Sequence, residues 1–277
     1  MGRAPEYLII PAAGRGLRMR EVDQEVPKEM LPVGQKPAIQ YAVAEGLSAG
    51  INRIVIIINR KKEVIRRYCE DKEFREATYP HAAREMDEMV RNCSIHFSYQ
   101  ERLVGEWDAI SLSRSFAEKS GLAILFPDNI YFPAKGALIV LKAMYDRYGI
   151  DVTALVPVRE EGVTGLGNSG RVDILPLSGG VFRIERFYSK AKGSFVPRHP
   201  GELRSCGMSI YGPHLFDYIE RARGSLREDE EFTDVSVRSL ILQEREMLGC
   251  RLPGTLFDIG NPDGYRQCLA YIGTFPP

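Results

Sequence analysis

Five short runs of branched apolar residues, at 8–11, 54–58, 95–99, 122–126 and 152–158, recur with longer helix-spaced segments between them. A strand that is apolar at every position, rather than at alternate ones, has to be covered on both faces. Two segments supply such cover. Ile39, Val43 and Leu47 within 38–49, and Leu138, Leu141 and Met144 within 135–148, recur at the spacing of one helix face. The alternation predicts an α/β fold with a Rossmann-like, mixed but mostly parallel central sheet covered by helices. Beyond residue 158 the texture changes: glycines cluster over 162–180, and strand-like pieces at 171–175, 181–187 and 203–211 predict a smaller β-rich region. Helical patterns at 234–247, with Thr233 as N-cap, and at 262–272 close the chain. The charged, weakly periodic stretch 70–92 reads as one or two exposed helices, and 221–231 as a solvated loop.

Composition removes several classes of function. Lys+Arg and Asp+Glu both number 37, so the formal net charge of +0 gives no global attraction to nucleic acid or an anionic membrane. Cys69, Cys93, Cys206, Cys250 and Cys268 are scattered and odd in number, without a C-x-x-C pair. That pattern argues against a disulfide framework or structural zinc and fits a reducing cytoplasm. No apolar stretch approaches the roughly 20 residues that span a bilayer, and the first six residues lack a signal peptide's apolar region. His81, His96, His199 and His214 show no metal-ligand spacing and read as surface or packing residues. At 277 residues and 44% hydrophobic, the chain suffices for one large α/β domain.

The chemistry concentrates after the first strand. Residues 11–19 read P-A-A-G-R-G-L-R-M, and P-K-E-M-L-P follows at 27–32. Such a loop can lay backbone N–H groups along a triphosphate, because glycines permit close approach, while Arg15, Arg18 and Lys28 add charge-assisted contacts. The dinucleotide fingerprint G-x-G-x-x-G begins with Gly14 and Gly16 but meets Met19 where its third glycine belongs. The Walker pattern G-x-x-x-x-G-K-[ST] is absent as well. A nicotinamide dehydrogenase and a P-loop ATPase are thereby disfavoured.

The order of glycines, arginine and lysine resembles the sugar-1-phosphate nucleotidyltransferase family, whose signature is G-x-G-[TS]-R-[ML] followed by P-K-x-[ML]-L-P. P-K-E-M-L-P and K-P-A-I-Q-Y, at 36–41, are most similar to its bacterial UTP–glucose-1-phosphate uridylyltransferase branch. The resemblance implies one nucleotidyltransferase domain over 1–277, with a nucleotide-binding half at 1–158 and a sugar-phosphate half at 159–277. It places Ala12, Ala13, Gly14 and Gly16 along the triphosphate, with Arg18 and Lys28 as the catalytic cations. Gln100 and Gly105, in Q-E-R-L-V-G-E-W-D-A, fall at the base pocket. A glutamine amide presents donor and acceptor side by side, which suits uracil and thymine alike, and a glycine lets the backbone approach a base.

The same resemblance makes Asp128, in L-F-P-D-N, and Asp258, in F-D-I-G-N, joint ligands of a magnesium ion, and gives Asp128 a place beside the sugar phosphate. Carboxylate oxygens suit that hard cation. Gly170, Glu185 and Arg186 fall at the sugar-phosphate positions, with Arg186 standing where the family has lysine; Lys190 or Lys192 is an alternative source of that contact. Leu17, Glu101 and Trp107 also depart from the pattern, and Trp107 reads equally as a core anchor or as a wall of the base pocket. The implied reaction joins UTP and a sugar 1-phosphate, glucose 1-phosphate by default, into a UDP-sugar and pyrophosphate in a homo-oligomeric enzyme. A dTTP-using thymidylyltransferase and a non-catalytic sugar-nucleotide-binding regulator are the alternatives.

Overall fold

The protein is described from a computed structural model over residues 4–133, 136–158, 170–189, 195–225 and 232–274. Lys190 and Lys192, the glycines at 162 to 167 and the charges at 226–231 lie outside these residues. Among the described residues the strands are β1 (Pro5–Pro11), β2 (Pro32–Val33), β3 (Lys36–Pro37), β4 (Arg53–Ile58), β5 (Ser94–Tyr99), β6 (Gly121–Leu125) and β7 (Asn129–Phe132). They continue with β8 (Asp151–Pro157), β9 (Val172–Pro176), β10 (Val181–Phe187), β11 (Leu203–Tyr211), β12 (Met247–Arg251) and β13 (Thr255–Asp258). The helices are α1 (Ala38–Ser48), α2 (Glu63–Glu70), α3 (Lys72–Thr78), α4 (Pro80–Arg91) and α5 (Glu106–Ser111). After them come α6 (Arg114–Ala117), α7 (Ala137–Tyr148), α8 (Leu215–Gly224), α9 (Asp234–Glu244) and α10 (Pro262–Gly273).

Nine strands make one sheet in the order β5-β4-β1-β6-β11-β8-β12-β10-β9. β5, β4, β1 and β6 are mutually parallel; β11 runs against β6 and β8, β12 runs with β8, and β10 and β9 are antiparallel additions. The β-rich stretch beyond 158 therefore extends the central sheet. Alternate residues leave a strand on opposite faces, and both faces are covered. Leu8 and Ile10 join Ile54, Ile56 and Ile58 in the core under α1 and α7, whereas Ile9 joins Val55 and Ile57 in the core under α5, α8 and α9. Burial on two sides is what the unbroken apolar runs required.

The chain runs from β1 outward to β4 and β5, then returns to place β6 on the other side of β1. Loops leaving adjacent strands in opposite directions open a crevice at their carboxyl ends, the place where ligands settle in such sheets. The loops after β1 and β6 carry Gly14 to Lys28 and Asp128.

Three elements differ from the sequence expectation. Stretch 70–92 contains α3 and α4, but Ala82, Ala83, Met86 and Met89 are buried, and Arg75 is 4% exposed, bonded to Tyr68 O and Cys69 O at 2.9 Å and paired with Asp87. A narrow apolar stripe had been masked by the surrounding charges. The helix at 234 ends at Glu244, because extended Arg245 releases Met247 into β12 beside β8; Thr233 occupies the N-cap without a side-chain capping bond. Arg221 to Gly224 form the end of α8, where Arg221 pairs with Glu244 at 2.5 Å, rather than part of a solvated loop. No described helix is long and apolar enough to cross a membrane.

Candidate active site

The glycine loop is held from behind. Ala12 N bonds to Ile57 O at 2.8 Å as β1 ends, Asn59 Nδ2 donates to Ala13 O at 2.5 Å, and Lys62 Nζ donates to Ala12 O at 2.7 Å. Both alanines are buried, with their carbonyls engaged toward the junction after β4. Gly14 differs: a Cβ there would meet nothing within 4 Å. Packing does not demand this glycine, so the open space in front of it suits a ligand's close approach. Gly16 adopts φ 63°, the left-handed conformation that glycine favours, and starts a 3-10 turn over Leu17–Glu21 that buries Met19 and leaves Arg18 exposed.

Lys28 begins a second 3-10 turn, Lys28–Met30, and its Nζ lies 2.5 Å from Asp128 Oδ2. The next residue, Glu29, is 1% exposed and receives Lys62 Nζ at 2.8 and 2.7 Å. Lys62 thus ties the glycine loop to the lysine segment through one buried ammonium. Burial pushes the Lys62 ammonium down, and the Glu29 carboxylate opposes that shift without cancelling it.

Asp258 reaches this place through a two-stranded sheet. β13 pairs antiparallel with β7, which sets Asp258 opposite Asn129, and Ile259 N then donates to Asp128 O at 2.8 Å. The F-D-I-G-N string has a local reason at each polar position. Gly260 N donates to Asp258 Oδ1 at 3.0 Å, while Asn261 caps α10 through Gly264 N at 2.9 Å. A Cβ on Gly260 would strike Asp128 Oδ2 and approach Asp258 Oδ1 to 3.0 Å. The two carboxylates therefore converge over the one residue without a side chain.

Their charges are perturbed accordingly. Burial alone would raise Asp128, but the Lys28 charge and hydrogen bond, with help from Arg18, hold it below the usual carboxylate range. Burial and the neighbouring Asp128 charge push Asp258 up to about 6, against the pull of Arg204, Arg18 and Lys28. Lys28 would be lowered by burial, yet Asp128, Glu29 and Asp258 raise it above its ordinary value. Two facing carboxylates compensated by fixed cations form an oxygen-rich site that fits a hard divalent ion. Among the described residues no group of three or more His, Cys, Asp or Glu gathers, so substrate oxygens and water would complete the coordination.

Gln100 lies at the end of β5 and is 5% exposed. Its Nε2 donates to Gly105 O at 3.0 Å and to Asp108 Oδ2 at 2.9 Å, so both amide hydrogens are engaged. Gly105 has φ 144°, and a Cβ there would collide with the backbone of Phe232, meeting its N at 2.8 Å. The close approach that this glycine permits is thus to Phe232. Trp107 is 1% exposed and packs edge-on against Tyr211 with centroids 5.9 Å apart, which makes it a core anchor rather than a pocket wall.

The residues expected on the sugar side, Gly170, Glu185 and Arg186, each meet a neighbour of their own. Gly170, at φ 89°, lies against Ser205, whose N and Oγ donate to Gly170 O at 2.7 and 3.1 Å. Exposed Glu185 is the extra residue of a bulge between Ile184 and Arg186 and pairs with half-buried Arg183 at 2.6 Å. Arg186 stacks over Tyr188 at 4.7 Å.

Sequence reasoning missed four contributors: Glu29, Asn59, Lys62 and Arg204. Arg204 is 2% exposed on β11, where burial lowers its pKa and the Asp258 charge opposes the shift. An arginine inside L-R-S-C-G-M-S-I-Y, an otherwise buried strand, was the available signal for it. Glu29 was visible in P-K-E-M-L-P, but its partner Lys62 is 33 positions away.

A crevice at the switch point of a mixed sheet, with a glycine loop and paired carboxylates beside fixed cations, defines a phosphate-handling enzyme. The chain belongs to the nucleotidyl transferase family, whose model matches residues 7–273. It is similar to a UTP–glucose-1-phosphate uridylyltransferase of Bacillus subtilis, 28% identical over 275 residues and covering 97% of this chain and 90% of that protein. It also matches the UTP–glucose-1-phosphate uridylyltransferase of Pseudomonas aeruginosa, 28% identical over 272 residues, covering 95% of this chain and 94% of that one. The fold matches a UDP-glucose pyrophosphorylase complexed with UDP-glucose at a TM-score of 0.82, with 22% identity over 98% of this chain and 100% of the other.

Proposed function

We propose that the protein transfers the uridylyl group of UTP to a sugar 1-phosphate, glucose 1-phosphate in the first place, releasing pyrophosphate. The observation that carries this reading is the convergence of Asp128 and Asp258 over Gly260, beside Lys28 and within the electrostatic reach of Arg18. The names of the full-length relatives support the choice of nucleotide and sugar.

An oxygen of the sugar phosphate attacks the α-phosphorus of UTP; the new P–O bond forms as the bond to the bridging oxygen of pyrophosphate breaks. The attacking oxygen is already anionic, so no side chain needs to remove a proton. Work remains in holding two polyanions together and stabilising charge on the non-bridging oxygens. Arg18 and Lys28 carry the fixed positive charge, and Gly14 leaves room for the triphosphate against the backbone. Asp128 and Asp258 would hold a magnesium ion, which supplies further positive charge at the phosphate oxygens. Gly170, Glu185 and Arg186 would receive the sugar and its phosphate.

A matrix of nucleoside triphosphates against sugar 1-phosphates, read by pyrophosphate release with and without a chelator, tests this. The expected result is strongest turnover with UTP and glucose 1-phosphate, abolished by chelation. Preference for dTTP would change the nucleotide, and the absence of release from every pair would overturn the reading.

A further inference from the structure

Gln100 is part of a longer polar chain. Asp108 divides its carboxylate between two donors: Oδ2 accepts from Gln100 Nε2 at 2.9 Å, and Oδ1 accepts from Arg223 Nη2 at 3.1 Å. Arg223, in the last turn of α8, also donates to Ser111 Oγ at 2.6 Å, and that hydroxyl donates to Asp108 O at 2.7 Å. Its guanidinium lies 5.8 Å from the Phe232 ring centroid, beside the backbone that packs against Gly105. Two stretches far apart in sequence, 100–111 and 223–232, thus meet behind one amide.

This arrangement leaves Gln100 a single orientation. One end of the amide faces a carbonyl oxygen and a carboxylate oxygen, both acceptors, so the NH2 group has to point there. Reversal would set Oε1 against two oxygens. The atom left for a nucleobase is therefore Oε1, which accepts and cannot donate. The sequence alone allowed the amide to offer both functions; the fold consumes the donor.

We propose that Asp108, held by Arg223, is a positioning residue that fixes Gln100 as an acceptor and makes the site select pyrimidines with a ring N3–H. The inference rests on the nucleotide-binding role given above and extends it to base choice. Uracil and thymine bring N3–H to Gln100 Oε1. Cytosine brings the lone pair of an unprotonated N3, and two acceptors then face each other. A buried polar mismatch of this kind lowers affinity by about five- to a hundredfold.

The test is equilibrium binding of UTP and CTP to the full chain by calorimetry in one magnesium-containing buffer. The wild type is expected to prefer UTP by about tenfold or more. Asp108→Leu should lower the UTP-to-CTP ratio at least about threefold, because one of the two oxygens orienting the amide is gone, and Asp108→Asn, whose single oxygen cannot serve both Gln100 and Arg223, should lower it as well. A merely structural role would change stability and leave the ratio alone. Equal binding of UTP and CTP by the wild type, or an unchanged ratio in folded Asp108→Leu, overturns the proposal. Should Asp108→Leu fail to fold, Arg223→Leu decides, with a smaller fall in the ratio expected and an unchanged ratio overturning it. UTP binding without pyrophosphate release would remove the transferase reading and keep this one; turnover with equal UTP and CTP binding would do the reverse.

Discussion

Two regions of the molecule handle charge in opposite ways. Around β1, β6 and β13 the charged groups other than exposed Arg18 are buried or part-buried and already paired: Lys28 with Asp128, Lys62 with Glu29, and both aspartates over Gly260. At β9 and β10, Glu185 and Arg186 are exposed and make contacts that solvent competes with, one to Arg183 and one over Tyr188. The first cluster is set in place at a cost in desolvation that the fold carries, whereas the second lies on a surface. Polyphosphate binding gains from preorganisation because like charges must be held together. On the proposed reading, Glu185 and Arg186 give the sugar an adaptable edge.

The largest effect that would break this contrast is at Asp128. Asp128→Asn keeps shape and removes charge, and kcat/KM should fall by about 10^3 or more with the unfolding midpoint little changed; near-normal turnover would show that the buried region is not the reacting region. Next comes the brace behind the loop. Lys62→Met strands Glu29 as a buried charge and should cost about 3–5 kcal/mol in urea unfolding, while Lys62→Met with Glu29→Leu should recover most of that stability. Recovered stability with a raised KM for UTP would sharpen the contrast by separating loop placement from folding. A double variant as unstable as the single one would remove the brace from the account.

Asp258 gives a pH-dependent case. Its pKa is raised from 3.8 to about 6 in the folded protein, so the folded state holds a proton that the unfolded state has released between those values. Without a bound cation, stability therefore declines as pH rises through that window, by up to about 3 kcal/mol. Asp258→Asn should abolish turnover, raise the melting temperature of the chelator-treated protein at pH 7 and flatten its dependence between pH 4 and 6. A lowered melting temperature would contradict a carboxylate held for function at the expense of stability. The smallest effect is on the exposed side. Glu185→Ala should raise KM for the sugar phosphate about tenfold, with KM for UTP and the melting temperature unchanged; an equal change in both KM values would erase the division between the two regions.

Legibility followed the range over which the determining contacts act. β1 and β4 were readable because burial on two faces leaves an apolar residue at every position, and Asn261 with Pro262 marks the start of α10 by local capping chemistry. The helical pattern runs on to Met247, the first residue of β12, and no strand is legible after it, since Met247–Arg251 carries a strand only by virtue of β8 beside it. The β7–β13 pairing was invisible for a similar reason: four-residue strands have little pattern of their own, and their partners lie more than a hundred positions apart. Gly14, Gly16, Arg18 and Lys28 stand out as candidates because one segment displays them together, while Asn59 and Lys62, which hold that segment, look like ordinary turn and surface residues in sequence.

The linear order of residues by itself determined that this chain folds as a helix-covered sheet with a glycine-rich, cationic loop after its first strand, because periodicity and glycine content act within a few residues. Only the tertiary structure decided which charges face one another: that Asp258 meets Asp128 over Gly260, that Lys62 rather than solvent satisfies Glu29, and that Asp108 takes the donor side of Gln100. Electrostatic and hydrogen-bond energies depend on separations of a few ångströms and on the exclusion of water. Both are properties of the packed molecule, set by pairings that sequence distance conceals.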